Sequence, residues 1–140
     1  MKKIAIINGP NLNLLGERQP DIYGYESFDT FYETLKEKYK DLSLSYFQSN
    51  IEGEIINELH RCKDFDGIAL NAGGFTHTSV AIADAVSAIK AKVVEVHISN
   101  IYAREAFRSK SYISIYALGI ISGFGLKSYD LALEFLSGIK

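Results

Sequence analysis

The chain is poor in the residues that build cross-links, backbone breaks and membrane spans: of 140 residues only Cys62 is cysteine, two are proline and none is tryptophan. A lone thiol closes no intrachain disulfide and supplies no multi-cysteine metal cluster, so Cys62 is expected as a buried or half-buried spectator. No charge sign dominates either, because 15 Lys and Arg stand against 17 Asp and Glu for a net charge of -2. That balance leaves no broad basic field to track a phosphate backbone, and nucleic acid is not an expected partner. Long apolar runs are missing as well; Ile4 to Ile7 is far shorter than the roughly 20 residues that cross a bilayer, so no membrane span is expected. Lys2 and Lys3 lead straight into a strand-like run without a secretory-signal pattern, which points to the cytoplasm. No internal repeat, low-complexity tract or linker divides the sequence, and splitting it would leave two fragments with poor cores, so residues 1–140 are expected to form one domain.

What the sequence does contain is alternation. Short β-branched runs at Lys3 to Asn8, Leu42 to Phe47, Gly67 to Asn71, Lys92 to His97 and Leu118 to Ile121 read as five strands. Between them lie helical-period stripes: Phe28, Phe31, Tyr32, Leu35 and Tyr39; Ile51, Ile55, Leu59 and Cys62; Ile82, Ala85, Val86 and Ile89; and finally Leu126, Tyr129, Leu133 and Leu136. Strand-helix alternation with right-handed crossovers gives an α/β doubly wound three-layer sandwich around a five-stranded parallel sheet. Leu42, Leu44 and Tyr46 alternate with Ser43 and Ser45, whereas Ile4 to Ile7 is apolar throughout. The second strand is therefore an expected edge and the first a buried one, which fits strand order 2-1-3-4-5. Ser27 is a candidate cap of the first helix, and Ser49 with Glu52 a candidate capping box for the second.

In such sheets ligands bind beyond the carboxyl ends of the strands, and three polar clusters fall there. The first, Asn8 to Gly24, is a long connection with the character of a lid, spanning about residues 9–24. It lacks the P-loop and GxGxxG patterns. Taken singly, Tyr23 reads as a packing residue and Arg18 as a surface charge; on one segment, the guanidinium would stabilise a tyrosinate. The second cluster, Asn71-Ala72-Gly73-Gly74-Phe75-Thr76-His77-Thr78-Ser79, either aims backbone N–H groups at an oxygen-rich ligand or merely makes a tight turn with His77 as a helix cap. Asp84 lies seven residues after His77 on nearly the same helical stripe, where it is either solvated or set to meet a neighbouring subunit. In the third cluster Glu95 and His97 share one side of a strand, an arrangement that fixes an imidazole tautomer for proton transfer or simply forms a structural ion pair. Arg104 and Arg108, spaced i,i+4, are placed to share a helical face and hold anions or hydroxyls. His60 has no such setting. No GxSxG elbow, HExxH motif or paired cysteines are present, leaving cofactor-free acid-base chemistry on a small polyoxygenated substrate, with Tyr23 or His97 carrying protons.

Ile7-Asn8-Gly9-Pro10-Asn11-Leu12-Asn13-Leu14-Leu15-Gly16, Phe47-Gln48-Ser49-Asn50, the Asn71 to Ser79 block and Glu95-Val96-His97-Ile98-Ser99-Asn100 together closely resemble the type II 3-dehydroquinate dehydratases, in family order and through to the Gly123-Phe124-Gly125-Leu126 turn. The resemblance implies a flavodoxin-like fold and a hydro-lyase of the shikimate pathway or of quinate breakdown, which converts 3-dehydroquinate reversibly to 3-dehydroshikimate without metal or organic cofactor. It also implies roles. Tyr23 would be the base, with Arg18 lowering its pKa, and Asn11 would hold a water at the enolate oxygen. His97 would be the general acid, oriented by Glu95. Asn71 and the backbone N–H groups of Ile98 and Ser99 would bind the substrate carboxylate, with His77 and Arg108 on ring hydroxyls. Asp84 would reach a neighbour's site in a homo-oligomer, a dodecamer built from trimers. Ala83, Tyr102 and Gln19 depart from the family's frequent residues, Ala83 most pointedly, because arginine is expected beside Asp84. Two rivals remain: a flavodoxin-like binding module without catalysis, and a Schiff-base dehydratase. The latter needs a buried lysine of lowered pKa, whereas Lys90 and Lys92 flank a strand start away from the rim.

Overall fold

A computed structural model of the chain describes residues 1–17, 21 and 26–140. Arg18, Gln19 and Tyr23 lie outside the described residues. Five strands, β1 (Lys2–Asn8), β2 (Leu42–Gln48), β3 (Gly67–Asn71), β4 (Lys92–His97) and β5 (Gly119–Ser122), form one sheet in the order β2-β1-β3-β4-β5. Every neighbouring pair is parallel. The helices α1 (Phe28–Lys38), α2 (Glu52–Arg61), α3 (Val80–Ala88) and α4 (Lys127–Gly138) connect or close the strands. The expected order and α/β class are those observed. β5 begins one residue later than its sequence pattern, although the Leu118 N–H still reaches the Val93 carbonyl at 2.8 Å.

The two-residue period of the strands divides the core. Ile4 and Ile6 of β1 pack with Phe28 and Leu35 of α1 and with Tyr129, Ala132, Leu133 and Leu136 of α4. Ala5 and Ile7 face the other way, onto Ile55 and Leu59 of α2 and Ile82, Ala85 and Val86 of α3. A central strand buried on both faces must be apolar at consecutive positions, which is why Ile4 to Ile7 shows no alternation. Cys62 is fully buried beside Leu59, and burial pushes its thiol pKa up to about 11, as expected of an inert packing residue. No helix among the described residues is long and apolar enough to cross a membrane.

Helix ends are specified locally, with one change from the sequence pattern. Ser27 caps α1, its Oγ accepting from the Thr30 N–H. Ser49 and Glu52 do not form a capping box: Ser49 Oγ accepts from the Ile51 N–H and donates to Glu54, while Glu52 accepts from Ser79 Oγ at 2.6 Å. The chain turns into α2 at Ile51, two residues later than a Ser49 cap requires. Ser79 in turn accepts from the Ile82 N–H at 2.9 Å and so caps α3. His77 is therefore not that cap; it ends a separate 3-10 turn, Gly73–His77, and shares no helical stripe with Asp84.

Candidate active site

The strand ends carry the site because the alternation that builds the core continues one step beyond it. On β1 and β3, Asn8 and Asn71 sit opposite each other in register, on the side of the sheet covered by α4. Both are almost completely buried. Tyr129 of α4 joins them: its hydroxyl donates to Asn8 Oδ1 and accepts from Asn71 Nδ2, each at 2.8 Å. The Tyr129 ring is wholly buried and meets Phe28 edge-on at 4.9 Å. Burial pushes its pKa well above the ordinary tyrosine value, so it acts as a neutral hydroxyl. Asn71 Oδ1 accepts from the Gly73 N–H at 3.0 Å, so both ends of the amide are fixed, with one N–H left for the cleft.

β4 supplies the opposite face. Val93 packs into the α2/α3 layer, and two and four residues further along come Glu95 and His97. Glu95 is fully buried, and its Oε2 accepts from His97 Nε2 at 2.5 Å. Burial raises the Glu95 pKa, but hydrogen bonds from His97 and Ser114, attraction to His97 and a hydrogen bond from Ser111 outweigh it and hold the carboxyl below its usual value. The carboxylate thus accepts the Nε2–H of His97 and turns Nδ1 toward the cleft.

The loop after β1 approaches from the other side. The Gly9 N–H donates to the Asn71 carbonyl at 2.7 Å, and a Cβ at Gly9 would lie 2.4 Å from the Ala72 oxygen. Only glycine permits that approach. Asn11 adopts φ 70°, a left-handed conformation asparagine tolerates, and its N–H donates to Asn50 Oδ1 at 3.0 Å. Gln48 Nε2 reaches the Gly9 carbonyl at 3.1 Å and Asn50 Oδ1 at 3.1 Å. The Phe47 to Asn50 block therefore anchors the first loop rather than contributing chemistry.

These elements surround a cleft of about 120 Å³ lined by Asn11, Asn71, His77, His97, Ile98, Ser99, Arg104 and Arg108, with Pro10, Leu12, Gly73, Gly74 and Ile101 completing the wall. His77 Nδ1 donates to the Lys110 carbonyl at 2.7 Å, leaving Nε2 for the cleft, and its ring lies 6.4 Å from that of His97 at an interplanar angle of 18°. Arg104 and Arg108 do not share a helix. The segment breaks into two 3-10 turns, Ile101–Ala103 and Ala106–Ser109, yet both guanidiniums reach the cleft. Arg104 Nη1 donates to Ser99 Oγ at 3.1 Å and Arg108 Nε to Glu105 Oε1 at 3.1 Å.

Of the sequence-derived set, Asn11, Asn71, His77, His97, Ile98, Ser99 and Arg108 converge on this cleft, and Glu95 lies immediately behind His97. Asp84 is exposed on α3 and stands outside the lining. Its neighbour Ala83 is buried, with no charge to pair with it. Lys90 and Lys92 line a separate surface hollow with Lys2 and Lys140; no lysine lines the cleft among the described residues. Sequence patterning does not single out Tyr129, one member of a core stripe, or Ser111 and Ser114, which hold Glu95. A tyrosine in an otherwise aliphatic buried stripe was the available signal, because its hydroxyl needs a partner.

Comparison with known proteins gives the family. The family described as Dehydroquinase class II matches residues 2–137. A 3-dehydroquinate dehydratase from Caldicellulosiruptor saccharolyticus is 52% identical over 143 residues, covering 99% of both chains. One from Exiguobacterium sp. is 52% identical over 135 residues, covering 96% of this chain and 93% of the relative. The crystal structure of type II dehydroquinase from Butyrivibrio crossotus is 42% identical, with a TM-score of 0.94 and 98% of each chain covered. With the fold, the strand-end cleft and whole-length similarity in agreement, the chain belongs to the class II dehydroquinase family.

Proposed function

We propose that the chain is a 3-dehydroquinate dehydratase, a hydro-lyase that removes water from 3-dehydroquinate to give 3-dehydroshikimate. The observation that carries this reading is the buried Glu95–His97 pair opening onto a cleft lined by Asn71, His77 and Arg108. In this reaction Tyr23 takes the C2 proton beside the ketone. Bringing its pKa from ~10 to neutrality needs roughly 4 kcal/mol of differential stabilisation, which Arg18 supplies through its charge. The electron pair moves into an enolate, whose oxygen is met by a water held on Asn11. The C1–O bond then breaks, the enolate pair forms the C1–C2 double bond, and His97, entering the step with protons on both nitrogens, gives its Nδ1 proton to the departing hydroxyl, which leaves as water. Solvent returns a proton to His97 and takes one from Tyr23. Glu95 accepts from His97 Nε2 throughout and keeps the ring aimed. The substrate carboxylate sits against Asn71 and the N–H groups of Ile98 and Ser99, and His77 and Arg108 take ring hydroxyls. No step needs a metal or organic cofactor.

The same reading makes residues 1–140 one catalytic domain closed by a lid over residues 9–24. It also makes the active form a homo-oligomer, a dodecamer of trimers, in which Asp84 serves a neighbour. Its support is the exposure of Asp84 outside its own cleft and of Ile115, Leu118 and Ile120 along the β5 edge. The test is ultraviolet absorbance after mixing protein with 3-dehydroquinate, since dehydration conjugates the new double bond with the ketone. A catalytic rise that persists with chelator is expected. No rise from folded, oligomeric protein would overturn the activity, and Tyr23→Phe with wild-type turnover would overturn the base.

A further inference from the structure

Beyond the cleft wall, the segment that follows the second 3-10 turn places two hydroxyls on Glu95. Ser111 Oγ and Ser114 Oγ donate to Glu95 Oε1 at 2.9 and 2.6 Å. Ser111 has no freedom to do otherwise. Its oxygen already accepts the N–H groups of Ile113 at 3.1 Å and Ser114 at 3.2 Å, so its single proton must go outward, to the carboxylate. A hydroxyl with both lone pairs engaged is an obligate donor. Among the described residues Glu95 thus receives three donors while wholly buried, two on Oε1 and one on Oε2. A buried carboxylate so surrounded is favoured as the ion, and only the ion leaves Oε2 free to take the His97 proton.

We propose that Ser111 and Ser114 are positioning residues of the dehydration, forming a hydroxyl clamp that keeps Glu95 ionised and so holds His97 by its Nε2–H, with Nδ1 aimed at the cleft to donate from the doubly protonated ring. The inference rests on the reaction proposed above. The turn makes the clamp stiff: Ile113 between the serines is fully buried, and the Tyr112 N–H donates to the Thr76 carbonyl at 3.0 Å, tying the segment to the turn that carries His77. The titratable groups facing the pair from packed elements are His77 from the Gly73–His77 turn and Arg104 and Arg108 across the cleft. Among the described residues the hydrogen bonds on Glu95 come from His97, Ser111 and Ser114. Removing the serine donors therefore removes the main stabilisation of the carboxylate besides His97 itself.

The test compares wild type with Ser111→Ala, Ser114→Ala, the double variant, and Ser114→Thr, which keeps the hydroxyl. Folding is checked by circular dichroism and chromatography. In the double variant the acid limb of the kcat profile is expected to move upward by about one pH unit, a tenfold change in proton affinity, so that kcat on that limb falls up to about tenfold while kcat at neutral pH and KM stay nearly constant. Each single variant should fall between, and Ser114→Thr should restore the wild-type limb. A second readout needs no turnover: the His97 ring resonance, assigned by its loss in His97→Gln, reports protonation of Glu95 in the substrate-free protein and should show the same upward movement. Folded variants whose acid limb and His97 titration coincide with wild type overturn the clamp. Wild type without dehydratase activity, but with variants that shift the His97 titration, would instead overturn the reaction and leave the clamp standing.

Discussion

Replacing Tyr129 by Phe removes one oxygen from the interior and should be felt in both stability and binding. The ring volume is kept and its edge contact with Phe28 is undisturbed, so packing loss is small. What disappears is the atom shared by two 2.8 Å hydrogen bonds, to Asn8 Oδ1 and from Asn71 Nδ2, in a position with no exposure to solvent. Each buried polar group left without a partner costs about 1–3 kcal/mol, and the two together about 2–4 kcal/mol once some relaxation is allowed. Asn8 Nδ2 already lacks a hydrogen-bond partner among the described residues, so Asn8 has little to fall back on. For a chain of this size, about 3 °C per kcal/mol converts this into a fall in Tm of roughly 6–12 °C. Calorimetry and urea titration should be run at one protein concentration, because association with copies would itself raise the apparent stability. In the dehydratase assay the freed Asn71 amide should raise KM several-fold, with a smaller change in kcat. Tyr39→Phe is the control: its hydroxyl reaches Asp130 at 2.5 Å, far from the cleft, so it should lower Tm without moving KM. A Tyr129→Phe protein within about 0.5 kcal/mol of wild type, with unchanged KM, would refute the shared-hydroxyl argument.

Four further outcomes follow from separate features. Gly9→Ala places a Cβ 2.4 Å from the Ala72 backbone oxygen, an overlap only main-chain movement relieves; the urea midpoint should fall by an amount equivalent to about 3 kcal/mol or more. Gly53→Ala meets nothing within 4 Å in the first turn of α2 and should stabilise by up to about 0.5 kcal/mol in the same titration. Asp130 tests acid stability: burial opposes its ionisation, but hydrogen bonds from Lys38, Tyr39 and Lys127 hold its pKa down to about 2. A lowered folded value means its contribution, about 2 kcal/mol, is present above the unfolded pKa of ~3.9 and is lost as pH falls through the folded one. The urea-derived gap between wild type and Asp130→Asn should therefore be widest near pH 6 and close toward pH 2; a constant gap would count against the ion cluster. Glu95→Gln keeps the shape but not the charge, and kcat should drop by a factor on the order of 10² while KM stays within a few-fold, read by steady-state kinetics.

The sheet order was legible because it rests on periodicity, which tertiary context rarely overrides: Ile4 to Ile7 can only be a strand covered on both sides, and the serines of β2 mark an edge. The region of the site was legible for a topological reason, since polar residues directly after β1, β3 and β4 in a parallel sheet share one rim. Short-range hydrogen-bond choices were not legible. Ser49 had both Glu52 and Glu54 within reach, and the fold gave Glu52 to Ser79 on another helix. Arg104 and Arg108 carry helical spacing, but the two 3-10 turns that hold them break at Arg104. Ser111 and Ser114 were invisible because serines in a turn are ordinary; what distinguishes them is a carboxylate sixteen and nineteen residues away.

The two buried polar assemblies answer one constraint. A strand that enters the core buries its last residues on both faces, so polar side chains there must find their hydrogen-bond partners within the protein. On the α4 side the solution is neutral: two amides in register on β1 and β3, joined by a tyrosine hydroxyl that donates once and accepts once. On the α2/α3 side it is ionic, a carboxylate with three donors. The neutral assembly cannot change protonation near neutral pH, because burial pushes the Tyr129 pKa far above it, so it is suited to holding a binding group still. The ionic one ends in an imidazole, the side chain whose ordinary pKa of about 6.5 lies near neutrality, so it is suited to moving a proton. Binding and proton transfer are thus separated by the sheet itself. A variant of the amide face should act mainly on KM and a variant of the carboxylate face mainly on kcat and its pH profile. If Tyr129→Phe shifted the pH profile, or Ser111→Ala altered KM alone, that division of labour between the two faces would be wrong.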